Sequence, residues 1–352
     1  MPSYVGLKRI RDAATRKRTA RGLQRLRAAL SLAVPPKMAG STLLLATWNI
    51  REFDAGRKAS YRTEEAYHCI AEVLSRFDLI AVQEVSEGLY ALQKTLQLLG
   101  PDWAYLVTDV TLGAAGNSER MAFVYDRRNV TFSGLAAELV LPKEQGADAG
   151  GGEPVQLARS PYVCGFRAGW AWITLATVHI YYGDDAPADP RRLREIKDFA
   201  RTLAKHAGKL SSAPQYKADG QPQRDNLLML GDFSIFNRED VTMAAITAAG
   251  FKVPDALQSV PGSNVSHDKH YDQIAYYKEL KGLKPTGRAG VFDVFDHVFR
   301  LVDEPEYAAE RVERPGRSFK EWRTFRISDH LPMWAEFGID DADAYLAAIA
   351  GD

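Results

Sequence analysis

Short unbroken apolar runs along the chain alternate with stretches whose apolar residues recur every three or four positions. Leu43–Trp48, Leu79–Val82, Met121–Tyr125, Val130–Phe132, Tyr162–Phe166, Trp170–Val178 and Leu227–Leu230 read as strands. A run as continuous as Leu227–Leu230 suits a central strand covered on both faces. Ala66, Ile70, Val73, Leu74 and Phe77 share one helical face, with Glu64 and Glu65 in the first turn, where the helix dipole favours acids. Leu89, Leu92, Leu96 and Leu99 form a second helical stripe ended by Gly100-Pro101, and Leu193–Ala204 returns to helix. Short links between the strands from Met121 to Val178 predict antiparallel hairpins, so the chain builds a mixed sheet, or two. Pro142–Glu153, Gly208–Asp225 and Lys281–Gly290, polar or rich in Gly and Pro, read as surface loops. A strongly charged insertion, Asp303–Arg323, precedes the last strand.

The strand-like runs end alike. Leu227–Leu230 stops at Gly231-Asp232, Leu43–Trp48 at Asn49, Leu79–Val82 at Gln83-Glu84 and Trp172–Val178 at His179, while Ser328-Asp329-His330 leads into Leu331–Trp334. Acids are rarely buried unless paired or bound to metal, so a carboxylate at the mouth of a core strand is a candidate for chemistry. Gly231 allows a turn or a close approach there.

Composition narrows the class. The 352 residues, 46% apolar and 26% charged, suit one large α/β domain or two ordinary ones, and no apolar run reaches membrane-spanning length. Cys69 and Cys164 read as buried thiols; a reducing, cytoplasmic setting fits, and a secreted one is not excluded. Net charge is zero but unevenly spread. Residues 1–40 hold ten Lys or Arg against Asp12 alone, a net of +9, which leaves −9 on the remainder. This leader is expected to be helical in part and to stop at Pro35-Pro36. Its two apolar stripes, Leu7/Ile10/Ala14 and Leu23/Leu26/Leu30, fall on opposite sides of a straight helix, which argues against one long amphipathic helix. A mobile or loosely docked arm is the simplest reading, and attraction to nucleic acid the leading functional one, ahead of a membrane surface.

The motifs, taken in order, resemble the endonuclease/exonuclease/phosphatase superfamily: Asn49 in TWNI, Glu84 in VQEV, His179 in ATVHI, Asp232 in LGDF, Asp272 in YDQI and Asp329-His330 in SDH. The resemblance spans roughly Thr42 to Phe337. Ser118-Glu119-Arg120, Arg159-Ser160-Pro161 and Ser263-Asn264 look most like its deoxyribonuclease I-like arm, and the motif typical of inositol polyphosphate phosphatases is absent. The resemblance implies an α/β (α+β) four-layer sandwich, two packed mixed sheets flanked by helices, over residues 41–338. Residues 1–40 would be the basic arm and 339–352 a tail. It implies a metal-dependent phosphodiesterase site with Glu84 and Asp329 as ligands of Mg²⁺, or of Mn²⁺ or Ca²⁺, and Asn49 beside them. Asp232 would orient or deprotonate water, His179 would pair with Glu119 and His330 with Asp272, and Arg159 and Asn264 would contact phosphate. Hard cations, oxygen ligands and imidazoles are what phosphodiester hydrolysis asks for.

One departure stands out. Where the family carries Asn after Gly-Asp-Phe or Gly-Asp-Leu, this chain has Ser234, a shorter donor; Asn237 is the nearest amide able to replace it. Three functions follow: a nuclease, with DNA favoured over RNA; a phosphatase or phospholipase on a small phosphoester or lipid headgroup; and a nucleic-acid-binding protein with a weakened site. No protein partner can be inferred.

Overall fold

The computed structural model describes residues 2–53, 62–111, 116–142, 156–207, 209, 225–311 and 316–351. In chain order the elements are α1 (Ala13–Ala33), β1 (Thr42–Phe53), α2 (Glu64–Leu74), β2 (Leu79–Ser86), α3 (Tyr90–Leu99), β3 (Trp103–Val107), β4 (Glu119–Asp126), β5 (Thr131–Glu138), β6 (Tyr162–Ala168), β7 (Ala171–His179), α4 (Pro190–His206), β8 (Asn226–Asp232), α5 (Val241–Ala248), β9 (Phe251–Lys252), β10 (Asp272–Tyr277), β11 (Lys284–Val291), α6 (Ala308–Arg311), α7 (Phe319–Thr324), β12 (Met333–Gly338) and α8 (Ala342–Ala350). They form two six-stranded mixed sheets, ordered β11-β12-β1-β2-β4-β3 and β5-β6-β7-β8-β10-β9, flanked by helices as a sandwich. Of the three expected loops, Pro142–Glu153 and Gly208–Asp225 lie almost wholly outside the described residues. The third is corrected: Lys284–Val291 pairs with β12 as an edge strand, with a register break between Pro285 and Ala289. An edge tolerates Pro and Gly that a central strand would not, which is why this polar stretch hid its strand character.

The period-two alternation of β1 explains the layers. Leu43 and Leu45 point into the space between the sheets, while Leu44, Ala46, Trp48 and Ile50 pack against the helices outside. Toward the end of the strand the inward line turns polar, Thr47 then Asn49. β2 does the same with Leu79, Ala81 and Gln83, and β7 with Leu175, Thr177 and His179. Gln83 Nε2 donates across the gap to Thr177 Oγ1 at 2.9 Å, so a buried polar layer lies directly beneath the strand ends.

The leader is docked, and it is one helix from residue 13 to 33. Leu7 belongs to a separate 3₁₀ turn, Val5–Arg9, and this removes the conflict between the two stripes. Leu23, Leu26 and Leu30 join the core that α2 and α3 make against the first sheet. Ion pairs clamp α1 along α2: Arg18 Nη2 lies 2.9 Å from Glu65, and Arg27 Nε 3.7 Å from Glu72. At the other end of the chain α8 buries none of its residues.

If α1 is part of the core, Leu26→Ala, at a position with no exposure, should destabilise the fold by about 2–5 kcal/mol. Urea denaturation of the full chain checks this; a loss below about 0.5 kcal/mol, the range of surface substitutions, would mean that α1 is undocked.

Candidate active site

Strand register brings the polar termini together. In the second sheet His179 is the parallel partner of Asp232, and Asp232 the antiparallel partner of Asp272, so three chemistry-bearing residues stand side by side on one face. The first sheet brings Asn49 opposite them, its Nδ2 donating to Asp232 Oδ2 at 3.0 Å. Gly231 makes the close approach of β8 to β7 possible. At φ +139°, any Cβ there would sit 2.2 Å from the carbonyl oxygen of Val178.

The resulting cleft, about 520 Å³, is lined by Arg51, Glu52, Glu84, Asn117, Glu119, Arg159, His179, Tyr182, Asp232, Ser234, Tyr271, Asp329 and His330. Asp232 stands at its centre. His179 Nε2 and His330 Nε2 each lie 3.6 Å from Asp232 Oδ2, and the Ser234 backbone N–H donates to Oδ1 at 2.8 Å. Burial works against this carboxylate's charge, but the two imidazoles, the Asn49 amide and the Ser234 N–H outweigh it and lower its pKa.

Each imidazole is backed by a second carboxylate. His330 Nδ1 sits 2.9 Å from Asp272 Oδ2. Burial disfavours its cation, yet Asp272 and Asp232 prevail and push its pKa up to about 10; burial pulls Asp272 toward the neutral form, but with a second carboxylate facing the same ring the proton stays on His330. His179 Nδ1 is 3.1 Å from Glu119 Oε2, close enough for an ionic contact but off the line of a straight hydrogen bond. Glu119 also accepts from Arg159 Nε at 2.8 Å. Burial would raise the Glu119 pKa; His179 and Arg159 bring it down to about 2.

Glu84 and Asp329 face the same cleft. Glu84 occupies the left-handed region, φ +58°, where the register of β2 breaks against both neighbours, and its Oε2 accepts from the Glu52 N–H at 2.8 Å. Such a backbone costs a non-glycine residue of order 1–3 kcal/mol and is found where the surroundings impose it. Burial, then the nearby Glu119 charge, raises the Glu84 pKa, with Asp329 adding to it against the opposing pull of His179. A half-buried acid in that state gains from a cation. Asp329, 39% exposed, lies 3.3 Å from Arg51 Nη1. Asn49 Oδ1 is buried and accepts no hydrogen bond. Carboxylate and amide oxygens such as these are the hard donors that Mg²⁺ takes. Among the described residues no three His, Cys, Asp or Glu side chains gather as a metal-binding group.

Not every candidate reaches the cleft. The Asn264 amide is spent within its own loop, donating to Asp268 Oδ1 at 2.7 Å and accepting from the Asp268 and Lys269 N–H groups. Asn237 is exposed, its backbone N–H donating to Asp240 Oδ2, and it does not line the cleft, so it does not stand in for the missing amide. His267 contacts Asp293 at 2.9 Å, and neither it nor His270 lines the cleft. Conversely Arg51 and Tyr182 line it although no motif pointed to them, and so does Tyr271, whose YDQI motif was read for Asp272 alone. Arg51 lies two residues after Asn49 on β1, a period-two signal that could have found it. Tyr271, the residue before Asp272 in YDQI, has its ring tilted against that of His330, with centroids 5.3 Å apart.

A two-sheet α/β sandwich with imidazoles and carboxylates gathered at one edge defines the class: the fold is the deoxyribonuclease I-like one of endonuclease/exonuclease/phosphatase proteins. No family model matches the chain. A curated deoxyribonuclease of Thioalkalivibrio sp. (strain K90mix) is 27% identical over 336 residues, 92% of this chain and 79% of that relative. The endonuclease/exonuclease/phosphatase of Bacteroides vulgatus superposes with a TM-score of 0.52 at 12% identity, over 85% of this chain and 99% of its own. D. rerio TDP2 complexed with a single-strand DNA product gives 0.52 at 12% identity, over 84% and 98%.

Two outcomes follow from this geometry. The folded pKa of Glu119 lies below its ordinary 4.5, so the stability it contributes is present above that pH and is lost as pH falls toward 2. Wild type should therefore lose stability over this window with an extra slope of about 1.4 kcal/mol per pH unit relative to Glu119→Gln. Parallel acid-limb slopes in denaturant titrations would refute it. Ser234 sits at φ +51°, a conformation Asn tolerates better than Ser. Ser234→Asn should thus keep or raise thermal stability and phosphodiester turnover, and a large drop in turnover would show that the cleft is shaped around the smaller hydroxyl.

Proposed function

We propose that this protein is a divalent-metal-dependent phosphodiesterase that hydrolyses the nucleic-acid backbone, DNA in preference to RNA. The observation that carries this reading is the convergence of two carboxylate-backed imidazoles on Asp232 Oδ2, beside the Glu84, Asp329 and Asn49 oxygens. The curated deoxyribonuclease relative supports the substrate class.

Hydrolysis adds one water across one P–O bond. Asp232, kept ionised, is an acceptor that aligns the water; its depressed pKa makes it a relay and not a final proton store, so the water's proton passes on to His179 Nε2, 3.6 Å away, and replaces the one that His179 gives to the leaving oxygen. His330, cationic at neutral pH, presents an N–H to a phosphoryl oxygen, and Asp272 holds its tautomer and ring plane. His179, steadied by Glu119, is placed to deliver a proton to the leaving oxygen. Arg159 neutralises Glu119 and, from the cleft wall, adds positive potential toward the phosphate. Glu84, Asp329 and Asn49 would hold the cation. When bound, it would supply charge neutralisation at the phosphoryl oxygens.

Plasmid, single-stranded DNA, RNA and inositol phosphates, each offered with Mg²⁺ or Mn²⁺, test the substrate class. Cleavage of inositol phosphates alone would favour the phosphatase reading. Glu84→Gln should fold yet lose turnover by at least about 10², the scale of a removed electrostatic catalyst, and excess EDTA should silence the wild type. Full activity of either would sink the metal assignment.

A further inference from the structure

The ten cations of the leader divide into two groups. Arg18, Arg25, Arg27 and Lys37 turn inward onto carboxylates: Glu65 and Glu310, Asp303, Glu72, and Asp78 with Asp126 respectively. Lys8, Arg9, Arg11, Arg16, Lys17 and Arg21 are exposed. None of these six has a carboxylate at ion-pair distance among the described residues. Asp12, the leader's sole acid, is spent capping α1, accepting from the Thr15 N–H at 2.6 Å. In the neighbouring insertion Glu310 and Glu304 are engaged by Arg18 and Arg311.

Chain direction places the six. β1 and β2 run parallel, and their C-terminal ends carry Asn49 and Glu84 at the cleft edge. α2 connects them by running back, so its N-terminal end lies at that same edge. α1 follows α2 in parallel, with Arg18 beside Glu65 and Arg27 beside Glu72. The preceding segment runs the other way: the Tyr4 hydroxyl donates to Glu72, Gly6 lies against His68, and residues 9–12 turn into α1. The turn and the first two turns of α1, which hold the free cations, therefore sit at the edge of the sandwich where the cleft opens. The opposite end of the leader is tied down by Lys37, far from it.

We infer that this cationic turn is a second nucleic-acid contact, a phosphate-binding surface that holds backbone beyond the cleft. The inference rests on the nucleic-acid reading of that cleft. The body of the chain carries a net −9 and repels a polyanion, and six solvent-facing cations at the cleft edge offset this where the strand must pass. They would bind phosphate with release of counterions and read no sequence. Because Leu23, Leu26 and Leu30 are core residues, the surface is to be altered by charge and not by deletion.

The test is binding of a fluorescently labelled DNA duplex to the full chain in excess EDTA, across a salt series. Wild type is compared with the variant carrying Lys8→Gln, Arg9→Gln, Arg11→Gln, Arg16→Gln, Lys17→Gln and Arg21→Gln. The log–log salt slope should become shallower by about 0.9 for each phosphate that the variant no longer neutralises, up to about 5 in all. Should that variant melt early, Arg9→Gln/Arg11→Gln/Lys17→Gln, which disturbs no described hydrogen bond or ion pair, reads the same slope. Exchanging Lys for Arg and Arg for Lys at all six should leave it as in wild type. A change smaller than about 0.9, the value of a single phosphate, overturns the inference. Weakened binding to phosphatidylserine vesicles with an unchanged DNA slope overturns it too, and assigns the turn to a lipid surface. A chain that cleaves no nucleic acid yet shows the shallower slope fails the nuclease reading and keeps this one; cleavage with an unchanged slope does the reverse.

Discussion

The structure depends on how one buried carboxylate is kept charged. Asp232 is 4% exposed at the end of a fully buried strand, and an isolated charge there would be untenable. Its stabilisation comes from both sheets at once: Asn49 from the first, His179 from β7 beside it, His330 from the segment entering β12, and its own following N–H at Ser234. Removing any one partner would leave the others around an under-compensated charge. The requirement that makes the site reactive is therefore also a requirement on how the sheets pack.

That constraint propagates outward by layers. His330 and His179 each need a further carboxylate to hold their orientation, and Asp272 and Glu119 are themselves placed, the first by its backbone N–H donating to Ser263 Oγ and the second by Arg159. Beneath them the Thr47, Gln83 and Thr177 layer separates the site from the apolar inter-sheet core. Glu84 stands apart from this network. It meets the network through charge, because burial and the Glu119 carboxylate together raise its pKa, while its left-handed backbone lets Oε2 accept from the Glu52 N–H.

The leader shows the same use of charge at larger scale. Four of its cations complete acidic partners on α2, on the insertion, at the end of β4 or just before β2, and its leucines close a core. The remaining six are left to solvent at one end. A segment whose composition reads as a solvated arm is thus a structural helix on one face and a cationic surface on the other.

Much of this was legible in the residues themselves, because period-two alternation fixes which side chains share a face. Leu43, Leu45, Thr47 and Asn49 on β1, and Leu175, Thr177 and His179 on β7, pass from apolar to polar along one line. That transition marks the sheet edge without any knowledge of register. Register itself was not legible, since pairing Asp232 with both His179 and Asp272 depends on contacts between strands distant in sequence. Nor was the docking of α1, whose charge masked three core leucines, or the strand at Lys284–Val291, whose Pro and Gly are tolerated only because it lies at an edge. Asn264 reads as a phosphate ligand, and the structure shows its amide engaged by Asp268 and Lys269 in its own loop, a local contact that the motif does not reveal. Sequence determined the residue types and the faces they occupy, through local sterics and burial. Tertiary structure alone decided which of them meet, because only packing sets the distances between charges.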